Sequence, residues 1–185
     1  MTASADVLIA GAGIVGAACA WELAKAGQRV AVVDQSFPAA GATGAAMGHI
    51  VVMDDSEAQF ALTRFSQVLW DELREELPGS VEFDRCGTVW VAADDEEMAE
   101  VRRKHRFYGD RGVRTEILDS AALREAEPNL RSSLAGGLLV GSDSVVYPPA
   151  AATFFLEKAA ALGATVHLGK SISRLQRGNA RLADG

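Results

Sequence analysis

Cysteine, histidine and positive charge are what this sequence has least of. Two cysteines in 185 residues, Cys19 and Cys86, make no disulfide framework, and Cys86 has neither a CxxC partner nor a neighbouring histidine. Cys19 falls inside a helical stretch and reads as a small core residue. His49, His105 and His167, the three histidines, show no metal-ligand spacing, so no metal site is expected. A net charge of −7 leaves no basic patch to neutralise phosphates, which excludes a nucleic-acid partner. A membrane span is excluded in the most apolar stretch because it would bury Glu22 and three turn glycines. A secretory leader needs an N-terminal basic residue, and none precedes Lys25. There is no internal repeat and no low-complexity linker. The expected compartment is therefore the cytoplasm.

What is present is apolar and ordered. Hydrophobic residues make up 49% of the chain, enough for a sizeable core in one domain or a little more. The stretch Asp6 to Asp34 organises the rest. Val7 to Ala10 is an apolar run of strand length, and Gly11, Gly13 and Gly16 follow at once in G-x-G-x-x-G spacing. A helical stretch with Ala17, Ala20, Leu23 and Ala24 then ends at Gly27. A second apolar run, Val30 to Val33, closes on Asp34. In such a unit Gly11 turns the chain out of the strand, Gly13 leaves room for a pyrophosphate, and Gly16 lets helix and strand pack closely. The helix start offers free N–H groups to the phosphates. Asp34 stands where a carboxylate accepts hydrogen bonds from an adenosine ribose, and its charge disfavours the 2′-phosphate of NADP. The competing reading is a βαβ unit that binds no phosphate.

Further along, Gly41 to Ile50 is rich in small residues, so its backbone can approach a ligand closely or pack tightly on the sheet. Ser56-Glu-Ala-Gln59 has capping-box spacing. It opens a helix on which Leu62, Phe65, Leu69, Leu73 and Leu77 recur until Pro78-Gly79, and Phe60, Phe65 and Trp70 read as core. Val81 to Phe83 and Thr88 to Val91 look like strands. Asp94 caps a helix to about Tyr108, whose acids Asp94 to Glu97 and Glu100 precede Arg102, Arg103, Lys104 and Arg106. That order matches the helix dipole and reads as a solvated face. Thr115 to Leu118 is strand-like, Asp119 opens a short helix to Glu127-Pro128, and Leu134 to Val140 is another strand. A helix from about Ala150 to Leu162 leads to a strand at Thr165 to Leu168 of parallel-sheet character. Ser171 to Leu175 and Ala180 to Leu182 follow as arms of a meander. The alternation gives α/β, with a partly antiparallel lobe inserted between about 81 and 144. Asp184-Gly185 reads as a hairpin turn whose returning strand is missing, so the expectation is the N-terminal part of a longer protein.

Taken together, these residues resemble the FAD-dependent D-amino-acid oxidase family, which includes glycine oxidase, sarcosine oxidase and D-amino-acid dehydrogenases. The likeness rests on Gly11-Ala-Gly13-Ile-Val-Gly16 with Asp34, on Ala42-Thr43 and Ala46-Met47-Gly48-His49, on Leu123-Arg124-Glu125 before Glu127-Pro128-Asn129-Leu130, and on the Gly141 to Pro148 approach to a helix. The fold it implies is a Rossmann-like FAD-binding βαβ with an inserted α+β substrate lobe, C-terminally truncated. The implied division is 1–80 with 145–185 as a discontinuous, incomplete FAD-binding domain and 81–144 as part of the substrate domain. For the cofactor FAD the resemblance implies that Ile14 and Val15 line the pyrophosphate turn beside Gly11, Gly13 and Gly16. Asp34 and Gln35 would hold the ribose, and Ala42 and Thr43 the phosphate. Met47, Gly48 and His49 would lie along the flavin, and the Ile172 backbone would meet adenine. Tyr147 stands where the family often has an acid.

The implied activity is oxidation of an amino or imino acid (glycine, sarcosine, a D-amino acid or a hydroxyproline-like compound) by hydride transfer to flavin N5, with oxygen or the respiratory chain as electron acceptor. A dehydrogenase of this kind would sit peripherally at the inner membrane. Substrate-holding residues are expected beyond residue 185, which would leave the chain inactive alone. His49 is the one candidate within it for touching substrate, against a structural role. Two other classes stay open: an NAD-dependent dehydrogenase, and a non-catalytic nucleotide-binding fragment or subunit, including an oligomer or a partner subunit.

Overall fold

Gly11 and Gly13 separate a strand from a helix, and Gly16 stands in the first turn of that helix. In the computed structural model, which describes residues 4–184, the elements in chain order are β1 (Val7–Ala10), α1 (Ile14–Lys25), β2 (Val30–Asp34), α2 (Ala42–Ala45), β3 (His49–Ile50) and α3 (Glu57–Leu73). They continue with β4 (Thr88–Ala92), α4 (Asp95–Gly109), β5 (Glu116–Asp119), α5 (Ser120–Ala126), β6 (Gly136–Val140) and β7 (Ser144–Val145). The last are α6 (Pro148–Ala161), β8 (Thr165–Leu168), β9 (Lys170–Gln176) and β10 (Asn179–Asp184). Two compact units result. The first takes the chain up to Gly48, Leu77–Glu82 and the chain from Val146; the second takes His49–Glu76 and Phe83–Val145.

The first unit is a parallel sheet of order β1–β2–β8 with Val7 opposite Val30 and Ala31 opposite Thr165. Helices α1 and α6 pack on each other and on this sheet. Small residues let them come close: Ala17, Ala20, Ala151, Ala152 and Ala159 are fully buried. Trp21 fills the remaining space against Phe154 and Phe155, with ring centroids 6.1 and 5.5 Å away, which adds edge and tilted aromatic contacts to the area buried. Pro148 and Pro149 start α6 where their missing N–H groups cost nothing. The β9–β10 hairpin is antiparallel, with a bulge between Arg181 and Leu182.

The second unit holds an antiparallel sheet of order β4–β6–β5, with Trp90 and Ile117 both registered on Leu138. Its core joins Phe60 of α3, Met98, Val101 and Tyr108 of α4, and Leu138 and Val140 of β6. A smaller cluster of Leu118, Leu123 and Leu134 is packed by the half-buried Val89 and Leu139. Helix starts follow the sequence: Ser56 Oγ accepts from Gln59 N at 3.2 Å, Asp94 from Glu97 N at 3.0 Å, and Asp119 from Ala121 N and Ala122 N. A two-strand ribbon pairs His49 with Val145 and Ile50 with Ser144.

Several expectations are corrected. Residues 49–76 belong with the second unit, not with the first, because Phe60 packs into the α4 and β6 core. Val81 to Phe83 forms no strand: Gly79–Val81 is a 3-10 turn, and Glu82 at φ 51° swings the chain round before Asp84 makes a single bridge to Val145. The apolar stripe of α3 is not its buried face. Leu62 and Phe65 are 69% and 60% exposed, whereas Phe60 and Gln67 are buried. Periodicity finds an apolar face and says nothing about what covers it. Trp70 is half-buried and stacks on Phe83. Cys19 is exposed, since it lies on the side of α1 away from Ala17, Ala20 and Ala24. The basic run of α4 is not wholly solvated: Arg103 and Lys104 both pair with Asp54, whose side chain is nearly buried. Asp184-Gly185 as a turn lies partly outside the described residues. Among the described residues no helix is long and apolar enough to cross a membrane.

Burial works to raise the Asp54 pKa, but the hydrogen bonds and charges of Lys104 and Arg103 outweigh it, and the net shift is downward. A depressed carboxyl stabilises the fold above its unfolded pKa and loses that contribution as pH falls through the folded value. Asp54→Asn is therefore expected to cost about 1.5–3 kcal/mol at pH 7, the range for hydrogen bonds to charged groups. The difference from the parent should shrink as urea unfolding is repeated from pH 5 down to pH 2. A gap that stays constant over that range would remove the ionised carboxylate as its source.

Candidate cofactor site

The end of β1 and the start of α1 are built from backbone rather than side chains. Gly11 sits at φ +108°, a conformation other residues adopt only with strain, and its N–H donates to Val33 O at 2.8 Å. A Cβ on Gly16 would overlap the Gly11 carbonyl oxygen. That is the close helix–strand approach expected of the third glycine. Around Gly11 and Gly41 no atom beyond the adjoining residues lies within 4 Å of where a Cβ would stand, so both border open space. The first turn of α1 holds no acid, and its leading amides have no intrahelical acceptor, so the positive end of the helix lies at this turn.

Asp34, at the end of β2, closes this turn. Its Oδ2 accepts from Ala12 N at 2.8 Å and its Oδ1 from Ser36 N at 2.7 Å. Each carboxylate oxygen accepts up to two hydrogen bonds, so both keep capacity for a donor from outside. Thr43 in α2 sends its Oγ1 to Ile14 N at 3.0 Å, and it thereby caps α1, whose own N-cap Gly13 has no side chain to do so. A Cβ on Gly13 would lie 2.9 Å from Thr43 Oγ1. A larger residue at Gly13 therefore displaces Thr43 as well as filling the turn. Sequence reasoning placed Thr43 near phosphate but missed its hold on Ile14, since a bond between positions so far apart leaves no spacing signal.

The other candidate residues are distributed as follows. Val15 is 74% exposed and Met47 78% exposed. Gln35 and Ala42 are exposed, and Ile172 is half-buried on β9 opposite Leu182. The segment leading into β9 is tied to the loop after Asp34 by Gly169 N, which donates to Ser36 O at 3.2 Å. Gly48 has a structural reason of its own. At φ +75° its carbonyl accepts from Val146 N at 2.9 Å, and a Cβ would overlap the Val146 carbonyl. His49, exposed, begins β3 in the second unit. Ile14, Thr43, Ala12 and Asp34 are thus brought together by direct bonds within the first unit. Among the described residues no group of three or more His, Cys, Asp or Glu side chains could hold a metal ion.

This geometry has close relatives. The model of the FAD dependent oxidoreductase family matches residues 6–184. The chain belongs to this family. It is 29% identical over 175 residues to glycine oxidase of Geobacillus kaustophilus, covering 90% of this chain and 46% of that protein. The crystal structure of glycine oxidase from that species superposes with a TM-score of 0.87 at 28% identity, over 95% of this chain and 49% of the other. Hydrogen cyanide synthase subunit HcnC of Pseudomonas aeruginosa is 27% identical, covering 99% of this chain and 54% of the subunit. L-2-hydroxyglutarate dehydrogenase of Escherichia coli is 30% identical over 151 residues, 76% of this chain and 34% of the enzyme. The chain thus spans about half the length of the first two relatives and a third of the last. The fold is the α/β, Rossmann-like one expected, and the resemblance to the amino-acid oxidase group is borne out at family level.

Replacing Gly16 with Ala forces the helix off the strand, and the loss expected from such overpacking is about 1–3 kcal/mol in urea unfolding. Thr43→Val removes one cap and should cost less, about 1 kcal/mol. A Gly16→Ala protein as stable as the parent would show that α1 does not pack against Gly11 as described.

Proposed function

We propose that this chain binds FAD through its first unit and contributes that share of an enzyme oxidising an amino or imino acid. The observation that carries the reading is the closed turn of Gly11 to Gly16, with a carboxylate on Ala12 N and an acid-free helix start capped by Thr43, in a chain of an FAD-dependent family. The residues fit the cofactor. Open space at Gly11 and Gly41 admits a pyrophosphate to the backbone, and the spare lone pairs of Asp34 suit a ribose hydroxyl. Gly11, Gly13, Ile14, Val15 and Gly16 would line the pyrophosphate, Asp34 and Gln35 the ribose, and Ala42 and Thr43 the phosphate edge. Met47, Gly48 and His49 would offer backbone to the flavin, and Ile172 to adenine. Once bound, FAD supplies the hydride acceptor at N5, and the chain's task is to hold and orient it.

The names of two relatives frame the substrate: glycine for one and the hydroxy acid L-2-hydroxyglutarate for another. An amino or imino acid is the reading taken, in line with the Ala46-Met47-Gly48-His49 and Glu127-Pro128-Asn129-Leu130 segments. With only half of the glycine oxidase length matched, the groups that hold the substrate carboxylate are assigned to the family's other half, in the same polypeptide or in a partner subunit as the name of HcnC suggests. Oxygen or the respiratory chain would take the electrons.

FAD titration, followed by flavin fluorescence and the visible band with NAD as competitor, tests the cofactor. FAD is expected to bind and NAD not to displace it. Asp34→Ala should weaken FAD by about 1–3 kcal/mol, the loss of a charge-assisted hydrogen bond. Its thermal midpoint must be followed in parallel, because Ala12 N and Ser36 N lose their acceptor too. Unchanged affinity in Asp34→Ala would remove that residue from the ribose site. Anaerobic bleaching by glycine, sarcosine, D-alanine, D-proline or hydroxyproline, against none by 2-hydroxyglutarate, decides the substrate class once the second half is supplied. Bleaching by the hydroxy acid alone would replace the amino-acid reading.

A further inference from the structure

Helix α3, within the second unit, is inverted for a surface helix. Its inward side is held largely by polar groups. Gln67 is buried; its Nε2 donates to Asp143 Oδ1 at 2.8 Å and reaches the Ile50 carbonyl at 3.4 Å, and its Oε1 accepts from Arg64 at 3.2 Å. Thr63 Oγ1 donates to Gln59 O at 2.9 Å and accepts from Met53 N at 3.1 Å. Phe60 is the one buried hydrophobic side chain of this helix, edge-on to Phe107 with ring centroids 5.6 Å apart.

The outward side is apolar. Leu62, Phe65, Val68 and Leu69 are 69%, 60%, 39% and 43% exposed, and their spacing sets them side by side over two turns. Ala58 and Ala61, also exposed, extend the face toward the helix start. A helix that meets water carries the reverse pattern, with polar residues outward and apolar residues on the core. A contiguous exposed apolar face of this kind marks a surface that something else covers.

Two observations identify the occupant. The chain matches 46% of glycine oxidase of Geobacillus kaustophilus, and the superposition takes in 95% of this chain but 49% of that structure. This chain thus corresponds to about half of its relative's fold, and faces along such a boundary have the composition of a core cut in two. A second copy of the chain fits less well. Exposed acids flank the apolar face at both ends: Asp55 and Glu57 before it, Glu57 being paired with Arg111, and Glu72, Glu75 and Glu76 after it. Arg74 is the only base among these flanking residues. Two copies of α3 laid along each other, parallel or antiparallel, bring acids together, which disfavours that pairing.

We propose that the outward face of α3 is an internal boundary of the family fold, and that its occupant is the half of that fold which this chain does not span. The inference rests on family membership and is independent of the cofactor reading above. Leu62 and Phe65, the most exposed pair, form its centre.

The test places a photocrosslinking residue in the protein as its source cells make it, as Phe65→p-benzoylphenylalanine. Arg102→p-benzoylphenylalanine, at an exposed position of α4, is the control. Cross-linked peptides are sequenced by mass spectrometry. Those from position 65 are expected to match the part of glycine oxidase that this chain lacks, in at least tenfold greater yield than from position 102. The proposal is overturned by no cross-link, by one to residues 1–185 of another copy, by one to a protein without that sequence, or by equal yield from position 102. A second measurement checks that the face is uncovered in the chain alone. Leu62→Gln combined with Phe65→Gln should leave the urea midpoint of the 185-residue chain unchanged or higher. A lowered midpoint, or failure to fold, would show that these side chains already pack within the chain, and the proposal would fall with it.

Discussion

The hydrogen bonds that Asp34 makes to Ala12 N and Ser36 N are the constraint on which the first unit depends. A turn as tight as Gly11 to Gly13 has almost no side chains with which to hold itself. Its backbone donors must therefore be satisfied from elsewhere, or the loop remains an ensemble. One carboxylate at the end of the neighbouring strand holds an amide on each side, one before α1 and one after β2. Thr43 adds a third tie at Ile14 N. What results is a preorganised backbone surface whose shape is set before any ligand arrives, so little ordering has to accompany binding.

The same logic explains why alanine is so common around it. Close approach of α1 to Gly11 requires Gly16, and close approach of α1 to α6 requires Ala17, Ala20 and Ala24 on one side and Ala151, Ala152 and Ala159 on the other. Short side chains bring backbones together but bury little area each. Trp21 with Phe154 and Phe155 restores apolar bulk where the small residues leave room. The helix that carries the candidate phosphate end is thus held from behind by packing and in front by two polar ties.

Much of this was legible in the sequence because it depends on local chemistry. The β1–α1–β2 order, the stop at Gly27, the caps at Ser56, Asp94 and Asp119, and the parallel character of β8 follow from spacing and residue type. The failures share a physical cause. Val81 to Phe83 has strand composition, but Pro78-Gly79 and the left-handed Glu82 decide its backbone. Leu62 and Phe65 have core spacing, yet whether an apolar face is covered is a tertiary fact. Cys19 looks internal for the same reason. Thr43 on Ile14, Asp54 between Arg103 and Lys104, and Asp143 on Val52 are long-range polar contacts, and single-chain periodicity carries no record of them.

The two units then solve the same problem with opposite materials. In the first, a polar ligand surface is made almost wholly of backbone, with one half-buried acid that stays near solvent and retains hydrogen-bonding capacity. In the second, the acid is buried, and its Oδ1 takes two donors from within the unit, Val52 N and Gln67 Nε2. An acid near solvent suits recognition of a partner from outside, whereas an acid shut away from water bonds only with its neighbours. Asp34 and Asp143 are the same side chain put to those two uses. The difference lies in how far water has been removed from around each carboxylate.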